Sequence, residues 1–292
     1  MKRPATRKKA TVRIPGHPTA KDMRELTRLL QPWYLITSPV SYGLDNLPRR
    51  GPCLFVGNHT LFGMLDAPML FLELYTQRKI TLRSLGDHVH FRVPLWRDVL
   101  RRYGVVDGTR ENCAKLMAAG ESVLVFPGGA REVFKHKGEK YKLLWGKRIG
   151  FARLAIQFGY PIVPFAAVGA DDAWDIVLGG DELIPAALRS VLQRLGLRTD
   201  ALIPIVKGIG PTPLPRPERL YFRFAPPVDT REYDGACEDD AACWEVREQV
   251  ERAVKASIKF LLKERRADPG RDLLVRLLGN DDSTRRRRVS HG

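Results

Sequence analysis

His59 is the residue in this sequence whose setting most suggests proton transfer. It follows the apolar run Cys53-Leu-Phe-Val and the pair Gly57-Asn58, residue types that tolerate a sharp turn. A strand ending there delivers an imidazole to the carboxyl rim of a sheet, where open α/β sheets bind ligands. A histidine base needs its tautomer fixed, usually by a carboxylate, and Asp66 is the nearest acid downstream. Continuous helix from His59 would hold the two about 10 Å apart by axial rise. Contact therefore requires an intervening loop, which Gly63 permits. On spacing alone the alternative is a hydrogen-bonded turn histidine, with Asp66 as N-cap of a helix that carries Pro68 in its first turn.

A second constellation, Phe126-Pro-Gly128-Gly129-Ala-Arg131-Glu132, follows the apolar run Ser122-Val-Leu-Val. Pro-Gly-Gly marks a turn. The planar fork of Arg131 suits a phosphate, a carboxylate or an acceptor oxygen, with Glu132 placed to orient it; a surface ion pair accounts for the two residues as well. His88 and His90, beside Asp87, share a face if extended, but a metal site needs a third ligand and none is evident. Asp171-Asp172 suggests a cation site or, more simply, carboxylates that satisfy turn amides. Cys237 and Cys243 are too far apart for a Cys-x-x-Cys pair, so free thiols, a reducing compartment and no zinc are expected. Ser84 and Ser122 lack a Gly-x-Ser-x-Gly elbow and Cys53 reads as buried in a strand, so no covalent intermediate is expected.

The elements that would position these groups follow from periodicity. Met23, Leu26, Leu29, Leu30, Trp33 and Tyr34 fall at helical spacing within 21–37, giving a helix packed on the core or lying on a membrane surface. Val40–Leu44, Cys53–Val56, Ile80–Leu85, Val105-Val106, Ser122–Phe126 and Pro161–Val168 read as strands. Helical patterns from Asp66, over Pro94–Tyr103, Arg110–Ala119 and Arg148–Phe158, alternate with them. This rhythm predicts an α/β fold, a mostly parallel central sheet flanked by helices. Residues 181–218 break it with a helix over Ala186–Leu195 and a Pro-rich run at 211–217, an excursion from the core. Leu220–Phe224 alternates apolar and basic residues like an edge strand, and helical patterns follow over Ala241–Arg266 and Arg271–Leu278. The expected organisation is a basic flexible arm at 1–20, a single domain over 21–280 and a basic flexible tail at 281–292.

With 292 residues, 44% hydrophobic, the chain can bury a substantial core. Its 49 Lys and Arg against 33 Asp and Glu give a net charge of +16, which favours an anionic partner. Nucleic-acid recognition signatures are missing, so nucleic acid is not the expected one. No run approaches the ~20 apolar residues of a membrane-crossing helix, and the basic amino terminus has no apolar h-region. The expectation is a cytoplasmic protein, peripheral on the inner face of a membrane.

Phe55-Val-Gly-Asn58-His59, followed by an acid, resembles the first block of the glycerolipid and lysophospholipid acyltransferase family. Phe126-Pro-Gly-Gly-Ala-Arg131-Glu132 resembles that family's Phe-Pro-Glu-Gly-Thr-Arg block, Tyr160-Pro-Ile-Val-Pro164 its final block, and Gly104-Val-Val-Asp107-Gly-Thr-Arg110 the block between them. The Pro-Gly-Gly-x-Arg-Glu form looks more like the diacylglycerol acyltransferase and phytyl-ester synthase branches. The resemblance implies transfer of a fatty acyl group from acyl-CoA or acyl carrier protein to a hydroxyl of a lipid acceptor at an anionic membrane surface, with no resident cofactor and no metal. It implies His59 as general base, Asp66 holding its imidazole, and Asn58, Gly128, Gly129, Arg131 and Glu132 as substrate-binding. Backbone N–H groups of the Gly128-Gly129 turn would then serve the oxyanion. Lys135, Lys137, Lys140, Lys142, Lys147 and Arg148 would attract the phosphates of coenzyme A, or else form a solvated basic face. Rival readings are a hydrolase on the same site and a non-enzymatic lipid-binding protein. Two departures stand out: six residues, not four, separate His59 from Asp66, and Gly128 stands where the family commonly has Glu.

Overall fold

Successive side chains of a strand point to opposite faces, and Leu54, Phe55 and Val56 are all fully buried. The strand they form must therefore be covered on both sides, and it is. The computed structural model describes residues 16–180 and 202–278, with positions 182, 185 and 188 between. In chain order the elements are α1 (Ala20–Thr37), β1 (Val40–Tyr42), β2 (Leu54–Gly57), α2 (Ala67–Arg78), β3 (Arg83–Gly86), α3 (Trp96–Arg102), β4 (Val105–Asp107), α4 (Arg110–Ala118), β5 (Val123–Val125) and α5 (Ala130–Val133). They continue with α6 (Gly150–Phe158), β6 (Ile162–Val168), β7 (Asp175–Leu178), β8 (Ile205–Lys207), β9 (Tyr221–Phe224), α7 (Asp240–Ala267) and α8 (Leu273–Leu277).

Seven strands form one sheet in the order β1-β9-β6-β2-β5-β3-β4. The five from β6 to β4 are mutually parallel; β9 runs antiparallel to β6 and parallel to β1. Leu54 and Val56 face a core shared with Leu116 of α4, Ala155 of α6 and Val250 of α7. Phe55 faces the other, with Met23 of α1 and Met69 and Leu74 of α2. The expected α/β architecture with a mostly parallel, helix-flanked sheet is what the chain adopts.

One strand differs from its expected place. β9 lies inside the sheet, between β1 and β6, and β1 is the edge. Arg223, the basic residue that suggested an exposed strand, and Arg219 just before it both have partners instead. Arg219 is fully buried with Nη1 3.1 Å from Asp268, and the Arg223 guanidinium lies 4.2 Å over the Phe260 ring. α1 packs on the body through Met23 and Leu26. Its Thr19–Asp22 capping box closes the first turn, and Arg102 pairs with Asp22 and Glu25. Within the expected excursion, β8 pairs with β7, which precedes it, as a two-stranded antiparallel ribbon. The helix expected over 186–195 lies, apart from position 188, outside the described residues, as do most of the arm and the whole tail. Of the arm, Pro18 is buried against the body.

Candidate active site

Parallel pairing of β2 with β5 and with β6 sets Val56 level with Val125 and Pro164. The carboxyl ends of all three strands therefore open on one rim, and each of their sequels contributes to one site. β2 ends at Gly57, which is glycine because it must pass the Phe165 ring, where a Cβ would lie 2.5 Å from Cζ. Asn58 then continues the sheet with its side chain: Nδ2 donates to Ala167 O and Oδ1 accepts from Ala167 N, both at 2.9 Å. Its amide is fully buried and fully used, so Asn58 holds the strand end in register, where the expectation had it touching substrate.

The His59 imidazole is held flat. Phe126 stacks on one face, centroids 3.9 Å apart and planes 8° from parallel. Gly63 lies against the ring's edge, at φ +61°, where a Cβ would come within 2.1 Å of His59 Cε1. Nδ1 is buried. Burial, with the nearby charges of Lys135 and His90, pushes the ring's pKa down to about 3, so it is neutral at physiological pH.

The two extra residues before Asp66 form a loop tied at four points. Glu132 Oε2 accepts His59 N at 2.9 Å, Lys135 Nζ donates to His59 O at 2.9 Å, Asp171 Oδ1 accepts Leu61 N at 2.7 Å, and Val133 O accepts Phe62 N at 2.9 Å. Lys135 and Asp171, each with a side chain 1% exposed, form an ion pair of 2.6 Å, and Asp171 Oδ2 also accepts Tyr141 N at 2.9 Å. Asp171 is thus a buried anchor for turn amides and a lysine. Lys135 belongs to the same anchor, and a solvated basic face does not describe it.

Asp66 precedes α2 in the N-cap position, but its side chain makes no capping hydrogen bond. Its carboxyl is buried, with Oδ1 unpartnered, as is Thr60 Oγ1. Burial pushes its pKa up to about 6. Among the described residues, neither His59 Nδ1 nor Asp66 Oδ1 has a hydrogen-bond partner. Buried polar atoms left open are costly, and these two lie on groups able to exchange a proton, in one seven-residue step of chain.

The second constellation is arranged differently from expectation. Arg131 Nη2 is 2.6 Å from Glu139 Oε1, so Glu139, and not Glu132, orients it. Glu132 is fully buried and accepts His59 N and Leu144 N, one on each oxygen and each at 2.9 Å. Burial pushes its carboxyl up to about 7. With both oxygens committed to backbone N–H groups, it positions the histidine loop. A Cβ on Gly128 would lie 2.2 Å from Glu132 Cγ and Cδ, so a side chain at 128 and Glu132 exclude one another. This is the physical reason for glycine at that position. Gly129 N donates to Phe126 O at 3.0 Å, which removes one of the two expected oxyanion donors. Arg148 Nη1 binds the carbonyls of Pro127 and Gly128 at 2.7 and 2.6 Å and fixes how that turn faces.

His88 pairs with Asp107, and His90 Nδ1 accepts from Trp96 Nε1 at 3.3 Å. Sequence reasoning undervalued Lys135, Asp171 and Phe126. Asp171 carried a usable signal, its place just past the carboxyl end of the longest apolar strand.

The sequence profile of a family described as Acyltransferase matches residues 39–168. Phytyl ester synthase 2, chloroplastic, of Arabidopsis thaliana is 33% identical over 251 residues, 80% of this chain and 36% of that protein. The chain thus spans about a third of the length of this plant relative. A bovine DGAT1/2-independent enzyme synthesizing storage lipids is 30% identical over 123 residues, 42% of this chain and 36% of that protein. The fold is similar to the crystal structure of the 1-acyl-sn-glycerophosphate acyltransferase PlsC from Thermotoga maritima, with TM-score 0.52 and 17% identity over 82% of this chain and 79% of that one. The matched span runs from β1 through β6 and so takes in His59, Asp66 and the Pro127–Glu132 turn; the chain belongs to the glycerolipid acyltransferase family.

Proposed function

We propose that the chain transfers a fatty acyl group from an acyl thioester, acyl-CoA or acyl carrier protein, to the hydroxyl of a lipid alcohol. The observation that carries this reading is a neutral imidazole clamped by Phe126 and Gly63 at the sheet rim, with Nδ1 and Asp66 Oδ1 both unpartnered. Nε2 takes the proton of the acceptor hydroxyl as its oxygen attacks the thioester carbonyl. Asp66, at the far end of the same loop, is the carboxylate that would stabilise the imidazolium that forms. The Gly128 N–H serves the oxyanion, and the imidazolium returns its proton to the leaving thiolate. The sequence similarity to phytyl ester synthases and to a storage-lipid enzyme favours a long-chain alcohol or a diacylglycerol as acceptor. Gly128, where a glutamate is common in enzymes acting on lysophosphatidate, agrees.

The test offers labelled acyl-CoA with a panel of long-chain alcohols, mono- and diacylglycerols and lysophospholipids, following both ester product and released thiol. Ester formation that vanishes in His59→Ala, with the fold intact by circular dichroism, is the expected result. Thiol release unaffected by acceptor, yielding free fatty acid, would replace the proposal with a thioesterase. Wild-type turnover equal to that of His59→Ala would remove the base from the mechanism.

A further inference from the structure

Between β3 and α3 the chain exposes apolar side chains in quick succession. Val89 is 61% exposed, Val93 51% and Leu95 81%, and Trp96 and Val99 are exposed beside them. Soluble surfaces carry single exposed apolar residues routinely, whereas a contiguous group this dense marks a contact surface. Leu95 is held at φ +61°, a backbone conformation that side-chain-bearing residues adopt at a cost. Arg92, Arg97 and Arg101 flank the group; Asp98 lies between the last two, and Arg102 is taken up by Asp22 and Glu25.

The patch lies on the side of the sheet where the site opens. β3 is parallel to β4 and β5, and β5 to β2, so the turn over His88–Arg92 leaves from the same rim as His59. Met64, in the loop between His59 and Asp66, is also exposed there. Valine, leucine and tryptophan side chains ringed by arginines have the composition of a segment that lies in the headgroup region of a bilayer. The apolar groups enter the acyl boundary and the cations meet lipid phosphates.

We propose that residues 88–101 are the surface by which this protein docks on an anionic lipid bilayer, setting the open rim of the His59 site against the membrane. The inference rests on the reading of the site as one that acts on lipid. It explains why apolar residues cluster beside the rim, and it gives a hydrophobic substrate a path that avoids water. Each flanking arginine should raise the partition coefficient about fivefold at low salt, and the apolar residues should supply the part that persists at high salt.

The experiment uses the full chain with sedimented vesicles of phosphatidylcholine alone or with phosphatidylglycerol, and with brominated acyl chains to quench tryptophans that enter the bilayer. Expected are binding that strengthens with phosphatidylglycerol, quenching that disappears in Trp96→Phe, and at least a tenfold weaker partition for the double variant Val93→Glu, Leu95→Glu. That variant should keep its circular dichroism and its turnover of a monodisperse short-chain thioester with a water-soluble alcohol. Unchanged vesicle binding by the double variant, or a loss seen instead in Leu29→Glu, Leu35→Glu on α1, overturns the proposal. So does a wild-type dimer in solution that the double variant dissolves while vesicles are ignored. Vesicle binding lost in the double variant, with no turnover by the wild type, would sink the transferase reading and leave the docking surface standing.

Discussion

Gly63→Ala is the sharpest probe of the imidazole clamp. Alanine at φ +61° carries a left-handed strain of about 1 kcal/mol. The new Cβ would stand 2.1 Å from His59 Cε1, whereas ordinary contact begins near 3.4 Å, so the ring must move by more than 1 Å. Phe126 stacked at 3.9 Å blocks one direction, and Glu132 and Lys135 hold the backbone of His59 on both sides. Overpacking of this kind adds about 1–3 kcal/mol, for a total loss of ~2–4 kcal/mol with the strain. A displacement of about 1 Å at a reacting group lowers turnover by about 100-fold. Gly51→Ala is the control, since Gly51 has φ +85° and nothing within 4 Å of its Cβ position. It should lose about 1 kcal/mol and no activity. Urea unfolding and thiol release from an acyl thioester, measured where each variant is fully folded, give the two quantities. Gly63→Ala with turnover within threefold of wild type, and no less stable than Gly51→Ala, would refute the clamp.

Other outcomes follow from the buried charges. Glu132→Gln exchanges one acceptor oxygen for a donor facing a backbone N–H and should destabilise by about 1–3 kcal/mol in urea while lowering turnover. Lys135→Met or Asp171→Leu alone should each destabilise by about 3–5 kcal/mol, and the double variant by clearly less than their sum, because each single change strands a buried charge. Asp66 has a raised pKa, so the folded state keeps a proton that the unfolded chain releases; its contribution to stability is fullest below pH 3.8 and is lost as pH rises through about 6. Asp66→Asn should therefore gain up to ~3 kcal/mol at pH 8 and nothing near pH 3.5, read as melting temperature across pH. The same carboxylate should impose an acidic limb on the rate, falling below about pH 6. That limb should be missing from the residual activity of Asp66→Asn.

Much of the frame was legible because burial on both faces leaves a plain mark. Runs such as Leu54-Phe55-Val56 and Ile162–Val168 have no polar side to offer, and only a covered parallel strand accepts them. The rhythm of such runs with helical spacing then left few architectures open. β9 escaped because an arginine in a strand reads as solvent-facing until its partner is known, and Asp268 and Phe260 come from distant sequence. The site shows the same division. His59 was legible from its place at a strand end. The roles of Glu132 and Arg131 were not, because adjacent residues suggest a pair, whereas the backbone turns one inward to His59 N and leaves the other to Glu139. Asn58 looked like a turn residue or a ligand contact; only the register of β6 reveals that its amide pairs with Ala167.

The ammonium of Lys135 has a consequence for how the protein can breathe. It joins the carbonyl of His59 to the carboxylate of Asp171, which in turn grips Leu61 and Tyr141. One nitrogen thereby bolts three distant stretches of polypeptide into a single wall. A wall built so cannot swing like a flap, and any traffic of greasy molecules has to pass in front of it.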